Sequence, residues 1–220
     1  MNTPQMVDVT QLKQQMCDIG RRMYERGLVA GHDGNLSVRL TESEVLCTPT
    51  GVCKGRMAPD DLCVVDLDGK QIGGCRKRTS EILLHVEILK ARTDVQAVVH
   101  SHPPHATAFA VTGKPVPRGI TAEAEYFLGE IAIAPYETPG TETFAKTILP
   151  YVSQSNVCLL ANHGAVTFAD SLEQAYALTE MLDAYCQTIM LAQQIGVPKT
   201  IETEKLDELR ALRESNSTPS

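Results

Sequence analysis

The chain has 220 residues, 43% hydrophobic and 21% charged, with four Phe, no Trp and a formal net charge of −7. That length suits one α/β domain with an aliphatic core, and the acidic balance argues against a nucleic-acid partner or an anionic membrane surface. No apolar run approaches the ~18 residues needed to span a bilayer, and MNTPQMVDVT lacks a signal peptide's basic and apolar regions, so a cytoplasmic protein is expected.

Seven cysteines (17, 47, 53, 63, 75, 158 and 186) are odd in number, widely spread and without a C-x-x-C pair. This excludes a disulfide framework and a cysteine zinc site, and leaves thiols in a reducing compartment.

Residues 10–27 have helical spacing, with Thr10 as N-cap, Leu12, Met16, Ile19 and Met23 on one face, and Gly27 as stop. GHDGN is turn chemistry, and LSVRL then alternates as a strand with Leu36, Val38 and Leu40 on one face. EVLC is a second strand ending in Thr-Pro-Thr-Gly, and residues 62–72 form a hairpin around Asp68-Gly69. Thr79 or Ser80 caps a helix carrying Ile82, Leu83, Val86 and Leu89.

Gln96 to Val99, apolar from Ala97 and β-branched at Val98 and Val99, lead into His100-Ser101-His102, and two prolines stop the run. Period-two alternation aims both imidazoles to one side at a strand's end. Such a pair can offer two nitrogen ligands to a divalent metal, or simply hydrogen-bond within a core. Residues 117–130 have weak periodicity, 131–136 form a short strand, and ETPGTETFAKTILPYV gives a turn and a helix. VCLLANHGAVTFA gives two strands around Asn162-His163-Gly164. Asp170 with Glu173 reads as a capping box opening a helix to about Gln194, closed by Gly196 and Pro198. Residues 199–220 read as a charged tail that frays.

These elements predict a single three-layer α/β domain over residues 1–198, a mixed and largely antiparallel sheet with helices on both faces. The stretches GNLSVR, TPTG, TSE, AVVHSHPPHATA, APYETPGT and LLANHGAV, in that order, resemble the class II aldolase/adducin family over roughly residues 10–195. The resemblance implies one zinc ion held by His100, His102 and His163, with Glu81 completing its shell when no substrate is present and acting as the catalytic carboxylate. It also implies a phosphate pocket from Asn35, Thr50, Gly51, Thr79 and Ser80, and a homotetramer with active sites near subunit interfaces.

A helix N-terminus at Thr79-Ser80 suits an anion, and three neutral imidazoles leave a metal position open for a substrate oxygen. The implied reaction cleaves a phosphorylated ketose to dihydroxyacetone phosphate and an aldehyde through a metal-stabilised enediolate. Glu81 would move the proton at the reacting carbon, with a pKa raised by a partly dry site. His85, one helical turn on, either orients Glu81 or is a packed histidine. Arg76, Lys77 and Arg78 read as a solvated run.

Two features depart from the family pattern. Thr121 stands where the family's aldolases place a proton-donating tyrosine, with Tyr126 five residues on, and ESNSTPS offers no C-terminal tyrosine. Decarboxylation of a phosphorylated 3-oxo sugar acid is therefore the runner-up reaction, since it needs the same enolate. A non-catalytic adducin-like scaffold is the alternative of another class, against which the retained histidines and Glu81 speak.

Overall fold

The computed structural model describes residues 8–217. The expectations placed on residues 1–7 and 218–220 lie outside them.

Helix α1 (Val9–Glu25) is capped by Asp8, whose Oδ1 accepts from the amides of Thr10 (3.0 Å) and Gln11. The cap therefore lies two residues before Thr10, because a carboxylate reaching two free amides makes the better acceptor. The chain then runs through β1 (Asn35–Arg39), β2 (Glu44–Cys47), β3 (Cys63–Asp66) and β4 (Gln71–Gly73). Helix α2 (Ile82–Ala91), β5 (Ala97–Ser101) and α3 (Pro104–Thr112) follow, then a π-helical turn at Ala124–Leu128 in the stretch of weak periodicity. Strand β6 (Ala132–Ala134), α4 (Glu142–Lys146), β7 (Val157–Leu160), β8 (Gly164–Ala169), α5 (Leu172–Ile195) and α6 (Thr203–Ser217) complete it.

The eight strands form one sheet in the order β4-β3-β2-β1-β5-β8-β7-β6, antiparallel throughout except for the β6–β7 pair. The expected mixed, mainly antiparallel sheet is what forms. Leu36 and Val38 pack with α1 residues Met16, Ile19 and Met23 on one side. Val98 packs with α2 residues Leu84, Val86 and Ile88 on the other. This is the three-layer arrangement that two apolar sheet faces require. Asn35 is the register partner of His100, and His100 that of Val166, so adjacent central strands carry site residues at the same level.

Two further expectations are corrected. Helix α5 is capped by Ser171, not Asp170: the Ser171 hydroxyl accepts from the Gln174 amide, while Glu173 turns away to Arg22 at 2.6 Å. Within the segment expected to fray, Thr203–Ser217 forms α6 and is tied down. Arg210 Nε meets the buried Glu125 carboxylate at 2.9 Å, beside Arg118, and Leu206 is 8% exposed. A buried carboxylate needs cationic partners, and α6 supplies one of the two. All seven cysteines are free. Among the described residues, no helix is long and apolar enough to cross a membrane.

Candidate active site

Strand β5 delivers His100, the residue just past it is His102, and the tight connection between β7 and β8 delivers His163. Their ligand atoms all lie within 4.8 Å of one another. The Nε2 atoms of His100 and His102 are 3.1 Å apart, and Glu81 spans the others, Oε2 to His100 Nε2 at 3.1 Å and Oε1 to His163 Nε2 at 3.3 Å.

The outer nitrogens decide what the inner ones can do. His100 Nδ1 donates to the Ala165 carbonyl at 2.9 Å, so in the neutral ring its Nε2 lone pair points inward. His102 Nδ1 faces Asp33 Oδ2 at 3.3 Å, while the buried Nδ1 of His163 has no hydrogen-bond partner among the described residues. Inward lone pairs held by outer hydrogen bonds are the arrangement of metal-ligating histidines. Three imidazoles, one carboxylate and the inward tautomer of His100 make a donor set that fits a zinc-sized divalent cation. Phe144 closes one side, its ring 5.4 Å from that of His163.

Close backbone approach holds these rings in place. A Cβ on Gly164 would come within 2.6 Å of His102 Cδ2, and one on Gly34 within 2.9 Å of the His100 carbonyl. Gly34 also sits at φ +70°, so two demands on one position select glycine.

Glu81 itself occupies the N-cap position of α2, with no side-chain capping bond, because its carboxylate is turned to the histidines. Thr79 and Ser80 thus precede the cap and do not form it. Thr79 Oγ1 accepts from the Glu81 amide at 3.4 Å. Behind Glu81 runs a buried chain of polar contacts. Asn35 Nδ2 donates to Glu81 Oε2 at 3.0 Å, Asn35 Oδ1 accepts from His85 Nε2, and His85 Nδ1 meets Ser37 Oγ at 2.7 Å. Of the two readings of His85, the packed one describes its full burial and the orienting one its contacts.

The electrostatics differ from the sequence expectation. Burial alone would raise the Glu81 pKa, but the His100 charge and hydrogen bond, the Asn35 amide and His163 together outweigh it and hold the carboxyl low. Its place at the α2 N-terminus favours the ionised form as well. Burial pushes His85 down to about 3, and burial with the His100 charge pushes His163 down to about 4. In His100, burial works downward, but Glu81 overcomes it and the net shift is upward.

Next to this centre lies a cavity of about 140 Å³ whose lining includes Asn35, Thr50, Thr79, Ser80, Glu81 and His102. Four of the five residues expected to form an anion pocket thus meet. The fifth, Gly51, follows Thr50 in the same turn at φ +71° and is not in the lining. Thr121 is elsewhere: its hydroxyl accepts from the Ala124 amide at 3.4 Å, and with Met181 and Tyr185 it borders a separate hollow. Tyr126 stacks edge-on with Phe127, also outside the cavity lining.

Sequence reasoning missed Asp33, Lys54 and Phe144. Asp33 was legible only as part of the GHDGN turn, and Lys54 and Phe144 carry no local signal.

The model of the class II aldolase and adducin N-terminal domain matches residues 14–190. A 3-oxo-tetronate 4-phosphate decarboxylase of Haemophilus influenzae is 33% identical, covering 92% of this chain and 97% of that protein. An L-fuculose phosphate aldolase of Methanococcus vannielii is 39% identical over 73% of this chain and 86% of its own. Among solved structures, an L-fuculose 1-phosphate aldolase superposes with a TM-score of 0.86 at 26% identity, covering 95% of this chain and 97% of that one. With three inward-facing histidines and a buried glutamate at the centre of that fold, the chain belongs to the class II aldolase and adducin family, among its carbon–carbon lyases.

Proposed function

We propose that the protein is a zinc-dependent aldolase that cleaves a phosphorylated ketose, of the L-fuculose 1-phosphate kind, to dihydroxyacetone phosphate and an aldehyde. The observation that carries this reading is Glu81 poised between His100 and His163 at the mouth of a cavity lined by Asn35, Thr50, Thr79 and Ser80. His100, His102 and His163 would hold the metal, which when bound supplies Lewis acidity to the oxygens where the electrons of the broken bond collect.

The residues of the chain do the rest. Asn35, Thr50, Thr79 and Ser80 present amide and hydroxyl donors to the phosphate, and Gly51 keeps the Thr50 turn open to close approach. Glu81 moves the proton at the reacting carbon. While it faces the histidines it is held ionised and weakly basic. As it turns toward substrate those contacts weaken, and burial, the opposing influence, raises its basicity to the level proton transfer needs. Asn35 and His85 keep that motion short and directed.

The runner-up is decarboxylation of a phosphorylated 3-oxo sugar acid, favoured by Thr121 standing away from the cavity, where a proton-donating tyrosine is expected. The assembly we propose is a homotetramer in the cytoplasm, with active sites near subunit interfaces. Light scattering at micromolar concentration checks its mass.

The deciding experiment assays metal-stripped and zinc-loaded protein against ketose 1-phosphates and 3-oxo acid 4-phosphates. Zinc-dependent cleavage of a ketose 1-phosphate to dihydroxyacetone phosphate and an aldehyde is the expected result. Release of carbon dioxide from the 3-oxo acid 4-phosphates, with the ketose 1-phosphates left uncleaved, selects the decarboxylase, and no turnover of either class sinks both.

A further inference from the structure

An anion entering the cavity meets an electrostatic obstacle. Asp33 and Glu81 both line it, and among the described lining residues Lys54 is the sole lysine or arginine. Lys54 begins a short 3-10 turn and is only 2% exposed. Its Nζ donates to the carbonyls of His32 (3.2 Å) and Val52 (2.8 Å), one in each of two loops bordering the cavity. Among the described residues it makes no salt bridge. Its backbone is held from behind, since a Cβ on Gly20 of α1 would come within 2.9 Å of the Lys54 carbonyl.

A buried ammonium is costly when it is not paired with a charge, and two neutral carbonyls leave the third of its donors for another partner. Burial lowers its pKa to about 8, against the opposing pull of Cys53, Asp33 and Glu81, so it remains mostly protonated at neutral pH. The carboxylates beside it are already engaged, Asp33 with His102 and Glu81 with His100 and His163. A cation kept at a cavity wall without a carboxylate of its own is what an arriving anion would complete.

We propose that Lys54 is the charged contact for the substrate's phosphate, and so the residue that makes the cavity prefer a phosphate ester over the uncharged sugar. This rests on the phosphate reading of the cavity. Lys54 also staples the two loops through their carbonyls, so removing its charge and removing the staple must be separated. Lys54→Gln keeps an N–H donor for a carbonyl and loses the charge, whereas Lys54→Met loses both.

The test is calorimetric titration of inorganic phosphate into the full chain at constant ionic strength, with thermal melts to establish that each variant is folded. Both variants should bind phosphate about 10- to 150-fold more weakly than the parent. A folded Lys54→Gln that binds within twofold of the parent overturns the role of Lys54 and leaves the cavity reading intact. A parent protein with no affinity for phosphate overturns both. The same contact is readable without substitution, by carbon NMR of lysines labelled at the ε position in the parent. Saturating phosphate should raise the Lys54 titration midpoint, and an unmoved midpoint overturns the proposal even if neither variant folds.

Discussion

The two halves of the site are built from different parts of the fold. The histidine corner rests on the central strands β5 and β8, where His100 is completely buried and its outer nitrogen is tied to the β8 backbone at Ala165. The cavity beside it is bounded by loops, with Thr50 and Ser80 exposed and their backbone set by the Pro49–Arg78 bridge. The difference follows from what each must bind. A metal fixes ligand distances to a few tenths of an ångström and needs a scaffold that cannot relax. A phosphate takes hydrogen bonds from several directions, so donors on loops serve it, provided that charge is supplied nearby.

The largest expected effect falls where the halves meet. Glu81→Gln keeps the shape and the contact with Asn35 but removes the base, so turnover should drop about 10²–10⁴-fold while metal content stays near that of the parent. Near-normal steady-state turnover would place the proton transfer on another residue and dissolve the link between the halves.

In the cavity, Ser80→Ala deletes one donor to an anion and should weaken phosphate-ester binding about 10- to 150-fold, with zinc content unchanged by elemental analysis. An equal loss for unphosphorylated sugar would show that Ser80 shapes the cavity without reading the phosphate.

In the histidine corner, Asp33→Asn weakens the carboxylate's hold on His102 and should lower metal affinity about 10- to 100-fold in a chelator competition. An unchanged affinity would mean that the half-exposed Asp33 is a bystander, and that the rigid strands alone orient the ring.

The smallest effect on activity is expected at His85, and its signature is acid stability. Burial lowers its pKa from 6.5 to about 3, so between those values the unfolded chain takes up a proton that the folded chain refuses. The stability tied to neutral His85 is full above about pH 6.5 and is lost as pH falls toward about 3. That loss is on the order of 5 kcal/mol. His102 and His163, both shifted down, add to the acid loss, and His100, shifted up, opposes it. Denaturant melts of the parent and His85→Gln across this range isolate the His85 share. The parent should lose stability more steeply, and parallel acid limbs would mean that His85 is already protonated in the fold.

The residues that sequence alone assigned are those whose partners follow from local period. Alternation in a strand puts His100 and His102 on one side, and helical spacing puts His85 one turn from Glu81. The Asn-His-Gly turn between two apolar runs offered His163 as a third ligand once the motif order had been recognised. The sheet was legible for the same reason, since the apolar face of each strand is written in steps of two.

Tertiary structure decided every contact whose partners lie far apart in the chain. Asp33 reaches His102, Asn35 links His85 to Glu81, and Lys54 ties two loops together, all through register and packing that no local pattern encodes. It also decided the direction of the Glu81 pKa shift, because burial and the convergence of two histidines act in opposite senses and only their geometry says which prevails. The C-terminal segment shows the same division. Its charge pattern reads as solvated tail, and only the buried Glu125 across from Arg210 makes it a docked helix. A polar residue's role depends on what it faces, and that is settled when the chain folds back on itself.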